Sequence, residues 1–240
     1  MKIFKLVLIS FFLISTANSN SIYNLIKIPN LEIYKLKTPN KLKYFYAEKP
    51  FRLGVQKNIA CSNSDKKTYD KKFQIILKNL NRYSAEFLKK INLKYIVMCE
   101  NLSISGINTA GIPDHVMKTL IIDLKFNEKY FERVIHHELF HIISYGFKDL
   151  FNEEEWKKFN DPNFKYADCS TCSKNLGLDT YKNTNGFFTE YSMTIPSEDM
   201  AEVYSHLISG NYKTSNDKIL NKKIKFIKDK LNEIDSTFVF

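Results

Sequence analysis

The chain of 240 residues has no long hydrophobic run after Ile14, so no helix beyond the N-terminus is expected to span a bilayer. It has no internal repeats and no low-complexity tail. Despite a net charge of +10, it lacks a basic block with interleaved aromatics. Its lysines are spread throughout, which reads as a solvated lysine-rich surface and no nucleic-acid partner. It has one C-x-x-C, Cys169-x-x-Cys172, and no second, which excludes a Cys₄ zinc knot. That pair does not follow a strand in a βαβ unit, against a thioredoxin-type redox role.

The N-terminus carries a pattern of its own. Lys2 and Lys5 precede the apolar run Leu6–Ile14, followed by Ser15-Thr16-Ala17-Asn18-Ser19. A charged start, a short apolar stretch and small residues at Ala17 and Ser19 describe a cleavable signal peptide over 1–19. No cysteine follows at once, which argues against a lipoprotein. Removing 1–19 takes away two lysines and no acid, lowering the net charge to +8. Export makes the four cysteines candidates for disulfides, with Cys61–Cys99 and Cys169–Cys172 the expected pairing.

Residues 20–60 are punctuated by Pro29, Pro39 and Pro50 and read as extended pieces of open pairing. Apolar residues then recur at three and four from Tyr69 to Ile91, predicting one amphipathic helix over about 66–91. Leu93–Cys99 and Leu120–Leu124 have strand composition, while Gly106 and Gly111-Ile112-Pro113-Asp114 read as turns. Asn152 with Glu155 caps a short helix holding Trp156. Residues 160–191 show no periodicity. Ser197 is the expected N-cap of a helix stopped by Gly210, and a last helix covers about 217–234.

The densest chemistry lies between the second strand and that short helix, at His137-Glu138-x-x-His141. On a helix, positions four apart lie one above the other, so both imidazoles point at one spot with Glu138 one step round. Two imidazoles on one face suit zinc, and a carboxylate beside the metal can take a proton from bound water. The bland reading is a buried helix whose histidines satisfy backbone groups. Phe131, Val134, Ile135, Leu139, Phe140, Ile142 and Ile143 make the helix apolar nearly all round, however. Polar groups buried there are costly without strong partners, and a metal supplies one. Asn127 and Glu128 are its expected start and Gly146 its stop.

A catalytic zinc needs a third ligand, and Glu198 and Glu202, four apart downstream, share a helix face. One can bind the metal while the other accepts an N–H from a ligating histidine; taken alone, they would read as solvated first-turn acids. His206 is the runner-up ligand but reads rather as a core or surface histidine, His136 points away and reads as packing or as a group behind the ligands, and His115 has no argued role.

His137-Glu138-x-x-His141, a long spacer, then Tyr191-(x6)-Glu198-x-x-x-Glu202 resembles the catalytic domain of anthrax lethal factor, a gluzincin metallopeptidase. The run from the His-His-Glu helix through Trp156, residues 160–166 and Pro196–Glu202 is similar to a family of small exported zinc metallopeptidases, over about 90–235. The resemblance implies a zincin-like α+β fold, with a small mixed sheet and an edge strand preceding the active-site helix. It implies one zinc per chain on His137, His141 and Glu198, Glu138 as general base, Tyr191 as donor to the oxyanion, and Glu202 behind a ligating histidine. Thermolysin-type gluzincins have an aspartate where Glu202 stands; glutamate matches the lethal-factor pattern. Residues 61–240 are then the catalytic domain, with a peptide or protein as substrate and no stable membrane span after signal removal. Nothing recognisable serves as a substrate-docking domain, so lethal factor's substrates do not carry over. The alternative is a secreted zinc-binding interaction protein or toxin with a silent site, which would not need Glu138 or Tyr191.

Overall fold

The β-branched and aromatic run read as a strand forms β5 (Tyr95–Ile104), which extends past Cys99 and organises the sheet. The computed structural model describes residues 31–34, 38–173, 176–210, 212 and 216–240; the leader expected over 1–19 lies outside them. The first half of β5 pairs in parallel with β2 (Lys43–Ala47) on one side and β8 (Thr119–Asp123) on the other. Outside these lie β1 (Leu31–Tyr34), antiparallel to β2, and β7 (Gly111–Asp114), antiparallel to β8. The second half of β5 carries β4 (Ile59–Ser62) and β6 (Ile107–Asn108), both antiparallel, with β3 (Phe51–Leu53) beyond β4. Among the described residues the result is a mixed sheet of eight strands, and the pairing left open by the sequence before residue 60 is given for these segments.

Alternation along the central strands sorts the core into two layers. Ile96, Met98, Leu120 and Ile122 face the helices and join the larger cluster. Val97, Cys99 and Ile121 face the other way, with Phe51, Ile59 and Cys61. The expected disulfides are both formed: Cys61–Cys99 ties β4 to β5 in the smaller cluster, and Cys169–Cys172 closes a surface turn.

Six α-helices are described: α1 (Lys66–Leu80), α2 (Ala85–Lys90), α3 (Phe131–Gly146), α4 (Glu153–Lys157), α5 (Pro196–Ser209) and α6 (Lys218–Ile234). None is long and apolar enough to cross a membrane. Several boundaries differ from expectation. The single helix over 66–91 is two, because Ser84 caps Phe87 N–H and starts a new helix while Tyr83 turns inward. The motif helix starts at Phe131; Asn127 instead holds a preceding turn by accepting from Lys129 N–H. Gly146 is its last residue rather than a left-handed stop, and a Cβ there would lie 2.9 Å from the His115 ring. Close packing explains that glycine. Ser197 lies inside the first turn of α5, whose start is set by Pro196 and whose stop is Gly210 at φ 68°.

The edge strand is also not where the sequence places it. The strand expected over Leu120–Leu124 is β8, one residue earlier at Thr119–Asp123, and it has a neighbour on each side. The outer strand beside α3 is β7, whose Gly-Ile-Pro-Asp composition reads as a turn. An edge position tolerates Pro113 because one side of the strand makes no ladder hydrogen bonds.

Candidate metal centre

Helices α3 and α5 pack against each other and bring the two halves of the motif together. His137 Nε2 and His141 Nε2 lie 3.2 Å apart, and Glu198 Oε2 sits 2.9 Å from the first and 3.2 Å from the second. Ligands on a tetrahedral zinc, each about 2.0–2.1 Å from the ion, stand roughly 3.3 Å from one another. These three atoms are the group of His, Cys, Asp and Glu donors that converges among the described residues. Two imidazole lone pairs facing each other beside a carboxylate need a cation or a proton between them, so the donor set fits zinc.

The back of His137 is held as well. Glu202 Oε1 is 2.9 Å from His137 Nδ1. A carboxylate only accepts, so Nδ1 carries the proton and Nε2 keeps a free lone pair facing the site. Glu202 in turn accepts from Thr189 Oγ1 at 2.9 Å and lies 3.7 Å from Arg133. Burial acts upward on the Glu202 carboxyl, but the His137 hydrogen bond and the Arg133 charge hold it down at about 2. Glu198 is likewise held well below the usual carboxylate range, His141 and His137 outweighing its burial. Burial alone would lower His137; Glu198 and Glu202 reverse that and raise it to about 10.

Glu138 and Tyr191 line the same cleft as these three side chains, a space of about 870 Å³. Glu138 is buried, and burial pushes its carboxyl up against the opposing pull of His137 and His141. Tyr191 enters from a short 3-10 turn (Tyr191–Met193), its ring 5.9 Å from that of His137. Burial, with Glu198 and Glu138 nearby, drives its phenol far up, so it remains a protonated donor at any working pH.

His136 and His206 are structural. His136 is fully buried, with Nε2–H donating to Asn79 and Nδ1 accepting from Tyr83. His206 is not a ligand. Its Nδ1 must donate to the Glu202 carbonyl, so its Nε2 accepts, from Arg133 and Thr180 at 3.0 Å each. Its ring stacks on Phe188.

Burial lowers the His206 pKa to about 4, with Arg133 adding to it and Glu202 opposing. In the unfolded chain His206 protonates near 6.5, so between about 6.5 and 4 the unfolded state binds more protons, and stability rises with pH and is lost as the pH is lowered through that window. Urea midpoints measured across that window for wild type and His206→Gln should show the difference. The variant's stability should depend on pH less steeply by up to one proton, about 1.4 kcal/mol per pH unit; equal slopes would contradict the assignment.

The sequence reading missed Arg133 and Thr189. Arg133 lies four residues before His137 on a helix otherwise apolar, so its place on the ligand face was visible as a buried cation wanting partners. It donates to the Leu178 carbonyl at 2.6 Å and so holds the 178–180 segment over the site. Thr189 lies in the aperiodic stretch and left no signal.

Over residues 14–236 the chain matches a family described as "Putative zinc-binding metallo-peptidase". It belongs to that family. The converging histidines and glutamate are thus the metal-binding candidates of a zinc-binding metallo-peptidase chain. Among solved structures, one titled a "putative zinc-binding metallo-peptidase from Bacteroides caccae ATCC 43185" is similar at 17% identity. The match covers 72% of each chain, with a TM-score of 0.45. No curated protein matches.

Proposed function

We propose that this family member is an exported zinc-dependent peptidase of the gluzincin type, with a zincin-like fold and a peptide or protein substrate. The observation that carries the reading is the convergence of His137 Nε2, His141 Nε2 and Glu198 Oε2 in a cleft that Glu138 and Tyr191 also line. His137, His141 and Glu198 would hold the ion. Bound there, zinc would polarise the scissile carbonyl and lower the pKa of a water. Glu138 takes the proton of the attacking water and returns it to the leaving amine. The Tyr191 phenol donates to the oxyanion as it forms. Glu202 keeps the proton of His137 on Nδ1, and Thr189 and Arg133 keep Glu202 in place. An extended peptide would lie along β7, which has no strand on its outer side among the described residues. The leader over 1–19 directs export.

The first test is elemental analysis of purified wild type and His137→Ala. About one zinc per chain is expected in the wild type, with loss in the variant of at least most of it. A wild type that takes up no zinc on reconstitution would sink the peptidase reading.

A further inference from the structure

A glycine beside Glu138 is not explained by any turn. Gly111, the first residue of β7, does not have a positive φ, so its backbone is one that any L-residue adopts. What it lacks is room. A Cβ at Gly111 would lie 2.7 Å from Glu138 Cγ, 3.0 Å from Glu138 Cδ and 3.0 Å from the Ile121 carbonyl oxygen. The Ile121 side of this contact cannot yield: β8 is paired to β5 and β7 along its length, in the middle of the sheet. Glu138 must yield instead. It cannot swing freely, being buried between β7 and the ligands of its own helix.

We propose that Gly111 is a positioning residue, and that the bare backbone of β7 at this point is the wall setting where the Glu138 carboxylate stands. The inference rests on the peptidase reading only for its kinetic consequence. The contact itself is independent of turnover. A displacement of the base by an ångström or less suffices for a large rate effect, because proton transfer demands close hydrogen-bond geometry.

The test is a double-mutant cycle with two readouts, using Gly111→Ala, Glu138→Ala and the double variant. In thermal melts of the metal-free proteins, Gly111→Ala should lower the midpoint by several degrees while Glu138 is present. It should lower the midpoint by less than half as much when residue 138 is already alanine, because the contact with the Glu138 side chain is gone and only that with the Ile121 carbonyl remains. With zinc loaded, Gly111→Ala should keep one zinc per chain and a KM within about twofold, while kcat falls by about 10- to 100-fold. Equal destabilisation in both backgrounds, or a kcat equal to wild type, overturns the proposal. If Gly111→Ala does not fold, the double variant must; failure of both also overturns it. If the zinc-loaded wild type hydrolyses no peptide, the peptidase reading alone falls, and the melting cycle still decides the role of Gly111.

Discussion

Glu138→Gln is expected to lower kcat for peptide hydrolysis by about 10²- to 10⁴-fold, the usual contribution of a positioned acid–base group. Zinc content should stay at one per chain. Glutamine has the same shape, so the packing against β7 is kept and the cleft is unchanged. What is lost is the ability to accept a proton. Glu138 is not among the three converging donors, so nothing in the ligand set changes with it. KM should move little, because the substituted group lies at the reacting atoms rather than along the substrate. Kinetics on a peptide library hit, with elemental analysis of the same preparation, separate the cases. A rate that survives the substitution would remove the general-base role. A rate lost together with zinc would mean that Glu138 holds the ligands in place. An active wild type with one zinc also disposes of the silent-site alternative, in which Glu138 has no task.

The donors that converge here were legible because the information is local. Four-residue spacing on a helix settles that His137 and His141 share a face, and the same spacing places Glu198 and Glu202 together. Which helix meets which is not local, yet a burial-demanding apolar helix carrying three histidines leaves few outcomes. The misreadings have the opposite cause. Gly111-Ile112-Pro113-Asp114 is turn chemistry by composition, and only the sheet edge, a long-range fact, makes it a strand. The periodicity from Tyr69 to Ile91 continues through the break at Ser84, since both helices bury the same side against the core. Tyr83 turns inward there to reach His136, a partner 53 positions away that no window of sequence can show. Arg133 shows on its helix as a buried cation, but its partners Leu178 and Glu202 lie far along the chain, and Thr189 meets Glu202 from a stretch with no periodicity to orient it.

Lys223→Met is expected to destabilise the fold by about 3–5 kcal/mol, the usual result of breaking a buried ion pair from one side. For a domain of this size that is roughly 10 °C in Tm. Lys223 Nζ lies 2.6 Å from Asp199 Oδ2, and both side chains are wholly excluded from solvent. Burial pushes Asp199 up and Lys223 down, each held toward its charged form by the other. Asp199 Oδ2 also accepts from Trp156 Nε1 at 2.8 Å and from Tyr166 OH at 2.6 Å. That one oxygen thereby joins α4, the 160–166 segment, α5 and α6. Asp199 follows Glu198 directly, so the network anchors the turn of α5 that carries the third donor. Lys223 donates its other hydrogen bond to the Gly186 carbonyl at 2.8 Å, fixing the segment that leads to Tyr191. Losing the lysine should therefore loosen the site as well as the core, and zinc affinity should fall with Tm. Removing the charge from both sides, as Asp199→Asn with Lys223→Met, should recover part of the Tm, because no uncompensated buried charge remains. Thermal melts of the three variants decide it: a single substitution costing under about 1 kcal/mol would show that water reaches the pair, and that α5 is held by its apolar face alone.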